Sequence, residues 1–469
     1  MSTNTSRRDF LRAVAAAPAI AMGHAVETPP NVLLLHCHDL GRFLHCYGIK
    51  TVQTPNLDRL AEQGVLLENC FCAAPQCSPS RASMFTGRYP HANGVMGLTH
   101  ADFAWDLHPE EKHLGQILKA AGYSTAGVGV IHETRSGPAR IGLDDYSPKS
   151  RAQAAAAEAI PRLERLARTP DQPFYMQVGF TEPHRLSGGA GKLTDHMGFI
   201  DQEVQADDSL GVTVPPYLRD TPGTRAEIAE LQGAVRHADQ HMGRILSALD
   251  DLKLASRTLV IFTTDHGIAM PRAKCSVYEP GLQVASLWRL PSRPGWHGGM
   301  RKREMISNVD YVPTILEALG VAPPANVQGR SFAPLLDGRA YAPRPTIFGE
   351  LTYHDYYDPR RSIRTETHKL IVNFSSAPSF MDPSQSWRPR SDTLVPPNPA
   401  VAYHEPLELY DLRDDPGETR NLATLPAHAS VLGDLQAQLA QHLKETGDPI
   451  LEGAITNPMH RRALAWWKS

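Results

Sequence analysis

Three short runs of almost unbroken apolar residues constrain this chain most: residues 31–35 (Asn-Val-Leu-Leu-Leu), 173–180 and 258–264. A strand with one wet face alternates apolar and polar residues. A run without alternation is covered on both faces, as in a parallel sheet held between helices. Segments of helical period separate these runs. Thr54 and Pro55 read as cap and first turn of a helix that places Leu57, Leu60 and Ala61 on one face and stops at Gly64. Residues 114–121, 152–167, 225–252 (the longest) and part of 308–319 also read as helices, and 65–72 and 123–130 as strands. Helices alternating with buried strands predict an α/β fold with a large, mostly parallel sheet over residues 28–345. Beyond residue 345 the texture changes. Residues 346–350, 362–364, 368–372 and 408–412 read as strands with short links, and 431–443 as an amphipathic helix. This predicts a smaller α+β domain with an antiparallel sheet over 346–469.

Polar residues stand where those strands end. His38-Asp39 follows the first run, His132 follows residues 123–130, His184 follows 173–180, and Asp265-His266 follows 258–264. Ligands of open α/β sheets bind beyond the carboxyl ends of the strands. The stretch Cys77-Ser78-Pro79-Ser80-Arg81, running on to Thr86-Gly87, adds a turn and a short helix. Ser78 and Pro79 suit its cap and first position, which places Cys77 just before an anion-attracting helix N-terminus with Arg81 one turn on. A thiol, a cation and a helix start in one place point to chemistry on an anionic group.

Composition narrows the classes. The net charge is −3 with 21% charged residues, so nucleic-acid binding is not expected. No apolar run reaches the roughly 20 residues of a membrane span. Residues 1–25 read as a targeting segment: Ser6-Arg7-Arg8-Asp9-Phe10-Leu11-Arg12 resembles a twin-arginine signal, followed by a weakly apolar run and small residues up to Ala25. Export to a bacterial periplasm or beyond is the expectation. Six cysteines are too few for a disulfide scaffold.

The pattern Cys77-x-Pro79-x-Arg81 with Thr86-Gly87 resembles the sulfatase signature. The similarity extends over residues 30–34, 54–58, 262–267, 313–316, 329–331 and 408–412, and within the family it leans toward the heparan N-sulfatase subgroup. The resemblance implies an alkaline-phosphatase-like fold and a hydrolase of sulfate esters or N-sulfates of sulfated carbohydrates such as glycosaminoglycan fragments. It implies that a formylglycine-generating enzyme oxidises Cys77 before folding, and that the hydrated aldehyde attacks sulfur. It implies a divalent metal, most often Ca²⁺, held by His38, Asp39, residue 77, Asp265 and His266. Arg81 would steady the hydrate, His184 and Lys274 would hold the sulfate, with His184 as general acid, and His132 would stand beside the nucleophile. His354, Asp355 and Arg361 are expected to bind the sugar, together with the 186–222 loop.

Two positions depart from the family pattern. His38 stands where an aspartate is usual, which softens the donor set and removes a negative charge. Val130 stands where a lysine is usual, which removes a cation. A catalytically weak or inactive binder of sulfated glycans, and a phosphate or phosphonate ester hydrolase, are therefore the alternatives.

Overall fold

The computed structural model describes residues 29–186, 197–376, 390–395 and 403–468. The expected targeting segment and positions 187–196 of the 186–222 loop lie outside the described residues.

The first apolar run is β1 (Asn31–Cys37). It is followed by β2 (Val65–Phe71), β3 (Ser124–Gly129), β4 (Asp145–Ser147), β5 (Phe174–Phe180), β6 (Thr258–Thr264), β7 (Ser286–Arg289) and β8 (Met300–Ser307). They form one sheet in the order β4-β3-β5-β1-β6-β7-β2-β8. β1 pairs in parallel with β5 on one side and β6 on the other, and β3 pairs in parallel with β5 and β4. β7 alone runs antiparallel, between β6 and β2. Its four residues are too few to carry a period, so sequence patterning passes over it. β8 escapes for another reason. It is an edge strand whose Arg301, Lys302, Arg303 and Glu304 break the apolar run, and charge of this kind protects a free edge from mispairing.

The helices are α1 (Pro55–Gln63), α2 (Cys77–Thr86), α3 (Pro90–Asn93), α4 (Leu114–Ala120), α5 (Ala152–Leu166), α6 (Pro222–Asp251), α7 (Glu279–Leu282), α8 (Tyr311–Ala318), α9 (Ala333–Leu336), α10 (Ala429–Thr446) and α11 (Pro458–Lys468). Alternate residues of β1 face opposite cores. Leu33 and Leu35 meet α1, α5 and α6 on one face; Val32 and Leu34 meet the side of α2, α4 and α8. This two-sided burial is what the unbroken apolar runs required.

A second sheet, in the order β12-β11-β10-β9, is antiparallel: β9 (Ile347–Tyr353), β10 (Tyr357–Arg364), β11 (His368–Asn373) and β12 (Leu407–Asp411). Its Ile363, Leu370 and Leu409 share a core with Leu435, Leu439 and Leu443 of α10. The described part of the 186–222 loop is not free over a site. Phe199, Val204, Tyr217 and Leu218 are buried in the core that α6 closes.

Candidate active site

Parallel pairing brings the ends of β3, β5, β1 and β6 side by side, so His132, His184, His38-Asp39 and Asp265-His266 converge by topology. α2 approaches from the β2 side. It begins at Cys77 itself, with Gln76 as the extended boundary residue and Ser80 N–H donating to Gln76 O at 3.0 Å. The cap therefore lies two residues earlier than Ser78. Pro79 still fits, because first-turn N–H groups have no intrahelical partner. Ser78 Oγ instead accepts from Thr99 N–H at 3.2 Å. Gly87, with φ +71°, stops the helix in the left-handed region.

Cys77 Sγ lies 3.4 Å from His266 Nε2 and 4.0 Å from Asp39 Oδ1. Lys274 Nζ donates to both oxygens of Asp39, at 2.9 and 2.7 Å, and sits 3.2 Å from His184 Nε2. Asp265 Oδ1 accepts the backbone N–H of Asp39 and of His266, both at 2.9 Å. Asp265 Oδ2 accepts from Arg81 Nε at 3.2 Å. His38 Nδ1 lies 3.1 Å from the same oxygen. The fork of Arg81 is held by Asp265, by Cys37 O at 3.3 Å and by His36 Nδ1. Two carboxylates and two cations, all buried, thus balance one another.

Electrostatics follow from that balance. Burial alone would raise the carboxyl of Asp39, but Lys274 overrides it and holds Asp39 well below the usual range. Burial is overridden at Asp265 too, by His266 and Arg81. Burial pushes the Cys77 thiol up to about 12, so the unmodified residue is a neutral and poor nucleophile. Burial, then Arg81, lowers His132 to about 3. Burial, then Lys274, lowers His184. His184 donates from Nδ1 to Arg185 O at 2.6 Å, and its side chain is 31% exposed, more open than its neighbours Asp39 and Lys274.

Of the residues singled out in the sequence, His38, Asp39, Cys77, Arg81, His132, His184, Asp265, His266 and Lys274 are brought together. His354 and Asp355 lie in the β9–β10 turn. Burial opposes it, but His354, Lys274 and His100 hold the carboxyl of Asp355 low, which places this turn in the field of the site. Arg361 is not brought in. It is 1% exposed and locked to Asp448, Nε to Oδ2 at 2.5 Å and a second nitrogen to Oδ1 at 3.0 Å, so sugar binding by Arg361 is corrected to a buried structural pair.

Two contributors went unassigned in the sequence. His36 orients Arg81; it stands one residue in from the strand end, and only its alternation with Leu35 and Cys37 marks it as facing α2. His100 stacks on His132 with ring centroids 5.3 Å apart, and nothing in its loop sequence marks it. Cys37, Cys46, Cys70, Cys72 and Cys77 are thiols outside any disulfide.

Comparison with known proteins gives a consistent result. Residues 30–321 match the Sulfatase family, and residues 271–382 match the family described as N-sulphoglucosamine sulphohydrolase, C-terminal. Human N-sulphoglucosamine sulphohydrolase is 31% identical, covering 92% of this chain and 93% of that one. An ulvan-active sulfatase of Formosa agariphila is 27% identical, covering 93% and 84%. Among solved structures, BT4656 in complex with its substrate D-glucosamine-2-N,6-O-disulfate superposes with a TM-score of 0.67 at 20% identity, covering 90% and 98%. The phosphonate monoester hydrolase SpPMH of Silicibacter pomeroyi superposes with 0.65 at 19% identity, covering 89% and 96%. With the match spanning the whole parallel-sheet unit and the strand-end cluster in place, the chain belongs to the sulfatase family.

Proposed function

We propose that the protein hydrolyses a sulfate ester or N-sulfate of a sulfated sugar, with Cys77 as the precursor of a formylglycine made by a formylglycine-generating enzyme. The observation that carries this reading is Cys77 in the first turn of α2, facing Asp39 and His266, with the Lys274–His184 pair alongside. The name of the human relative and the sugar bound by BT4656 support a glucosamine N-sulfate as first substrate to try. The twin-arginine-like start supports export to a periplasm, and no described helix is long and apolar enough to cross a membrane.

Formylglycine supplies an electrophilic carbon whose hydrate carries two hydroxyl groups. The chain's own residues do the rest. Lys274 presents its cation to sulfate oxygens while remaining paired to Asp39, which needs no reorganisation during reaction. His184, whose Nε2 lies 3.2 Å from Lys274 Nζ, passes a proton to the leaving nitrogen or oxygen. Burial and Lys274 keep it neutral in the free enzyme, and an anionic substrate at Nε2 favours its protonated form. Asp265 and His36 fix Arg81 so that its charge is aimed rather than swinging. His354 and Asp355 serve the sugar from the β9–β10 turn.

The family generally uses a metal, and calcium was the expected ion. Calcium takes about six to eight oxygen ligands. His38, Asp39, Cys77 and Asp265 each offer a ligand atom within 4.8 Å of the others, two of them carboxylate oxygens, and would hold a divalent cation, which would supply positive charge against the sulfate oxygens. No step is routed through it.

The test has two parts. Mass analysis of the Cys77 peptide after co-expression with the oxidising enzyme is expected to show the aldehyde. That protein is expected to release sulfate from glucosamine N-sulfate, and Cys77→Ala to lose release by at least about 10³-fold, since a covalent nucleophile is removed. Thiol alone, with full activity in Cys77→Ala, would sink the proposal. Oxidation without turnover, but with retained binding, would favour the glycan-binding alternative that Val130 raises.

A further inference from the structure

Of α11, Pro458 alone is buried; the rest of the helix is in water. Trp466 and Trp467 are 86% and 87% exposed, the highest values for large apolar side chains among the described residues, and Met459 and Leu464 stand beside them at 49% and 45%. Large apolar surface gathered in water at one place marks a binding surface. The helix also carries His460, Arg461, Arg462 and Lys468 and no Asp or Glu. Arg462 lies 3.9 Å from a carboxylate oxygen of Asp102, which is itself 88% exposed. α11 is fixed beside the active site. Arg462 donates to Asp102 O at 2.8 Å, and the Arg461 guanidinium lies 5.5 Å from the Trp105 ring centroid. Trp105 in turn meets Tyr353, whose hydroxyl donates to Ile455 O at 2.7 Å, just ahead of the helix. The 99–105 segment carries His100, which stacks on His132, and Tyr353 leads into His354 and Asp355. The helix therefore rests on the two segments that bring His100, His354 and Asp355 to the site.

We propose that α11 is a second binding surface for the substrate, whose class is then an oligomer or polymer of sulfated sugars rather than a single sugar. Trp466 and Trp467 stack on rings beyond the one that loses its sulfate, and Arg461, Arg462 and Lys468 pair with the sulfates or carboxylates those rings carry. Indole offers a large rigid face at low cost in side-chain freedom, and a planar guanidinium holds two oxygens of an oxyanion at once. Two contacts on one chain act together, so a weak contact at α11 raises the affinity of the whole. A bilayer also attracts a helix of cations and tryptophans. The sugar chain fits better for two reasons. Successive helical residues point about 100° apart, so the two indoles do not share the single face that lies in a bilayer. And α11 is tied to the rim of the site, where the rest of a bound chain must leave. The proposal rests on the hydrolytic reading of the site, whereas binding by α11 is measurable without turnover.

The experiment compares the full-length oxidised enzyme with its Trp466→Ala/Trp467→Ala double variant on free glucosamine N-sulfate and on an oligosaccharide of alternating N-sulfated glucosamine and uronic acid. The variant is expected to raise KM for the oligosaccharide at least about 10-fold with kcat unchanged, the mark of lost binding without lost chemistry, and to leave both constants for the free sugar within about twofold. Exposed residues carry little of the fold, so its melting temperature is expected to stay at the wild-type value. Arg461→Gln/Lys468→Gln is expected to flatten the salt dependence of KM for the oligosaccharide. The unoxidised chain supplies a binding measurement: in calorimetry the double variant is expected to hold the oligosaccharide at least about 10-fold more weakly than the wild type. That result stands even where no sulfate is released from either sugar, in which case the hydrolytic reading fails and α11 remains a binder of sulfated chains. Equal KM values for the oligosaccharide in the two oxidised enzymes, or equal affinities of the two unoxidised chains, would overturn the inference. So would sedimentation of the wild type, and not of the variant, with anionic phospholipid vesicles at an unchanged KM, which would assign α11 to a membrane surface.

Discussion

His442 stacks flat on Phe348, ring centroids 3.6 Å apart and planes 2° from parallel, with Tyr89 edge-on at 4.7 Å. Burial, then His91, lowers its pKa to about 3. The unfolded side chain titrates near 6.5. Between these values the unfolded state binds the extra proton, so stability is full above about 6.5 and is lost as pH falls toward 3, by at most about 1.4 kcal/mol per pH unit from this group. His442→Phe keeps the stack and removes the proton. Urea unfolding from pH 7 to 4 is expected to show a shallower loss in the variant. Equal slopes in the two proteins would mean that His442 titrates normally.

At the scale of elements, the end of β5 is shaped by one missing side chain. A Cβ on Gly179 would come within 2.5 Å of His36 Cε1 and 2.9 Å of Val130 O. Gly129 of β3 meets the same spot with φ +88°, and a Cβ there would lie 1.9 Å from Gly179 O. The strands approach closely, and the His36 ring lies over bare backbone, held against Arg81. Gly179→Ala pushes that ring away and loosens Arg81 from Asp265. The expected costs are about 1–3 kcal/mol in stability, as for overpacking in general, and at least a tenfold loss of sulfate release in the oxidised enzyme. Unfolding curves and steady-state rates check both. Wild-type rates at a wild-type midpoint would refute the role given to His36.

The whole molecule is joined by a buried charge network rather than by apolar packing alone. His91 of α3 donates to Glu350 of β9 at 2.5 Å and lies 3.6 Å from Asp448. Asp448, following α10, takes both arms of Arg361 from β10. Removing one partner leaves an uncompensated buried charge, which costs about 3–5 kcal/mol. Arg361→Met is therefore expected to lower the urea midpoint strongly while KM for a sulfated sugar stays within about twofold. A raised KM at unchanged stability would restore Arg361 to the sugar site.

The alternation of helices with β1, β5 and β6, the two-sided burial of those strands, and the strand-end positions of the polar residues were determined by the sequence alone, because apolar period and turn chemistry are local. So was the start of the signature near Cys77, to within two residues. Pairing was not. Arg81 with His36, Arg361 with Asp448 and Lys274 with Asp39 join residues 45, 87 and 235 positions apart, and a cation in a sequence carries no mark of which anion it will meet.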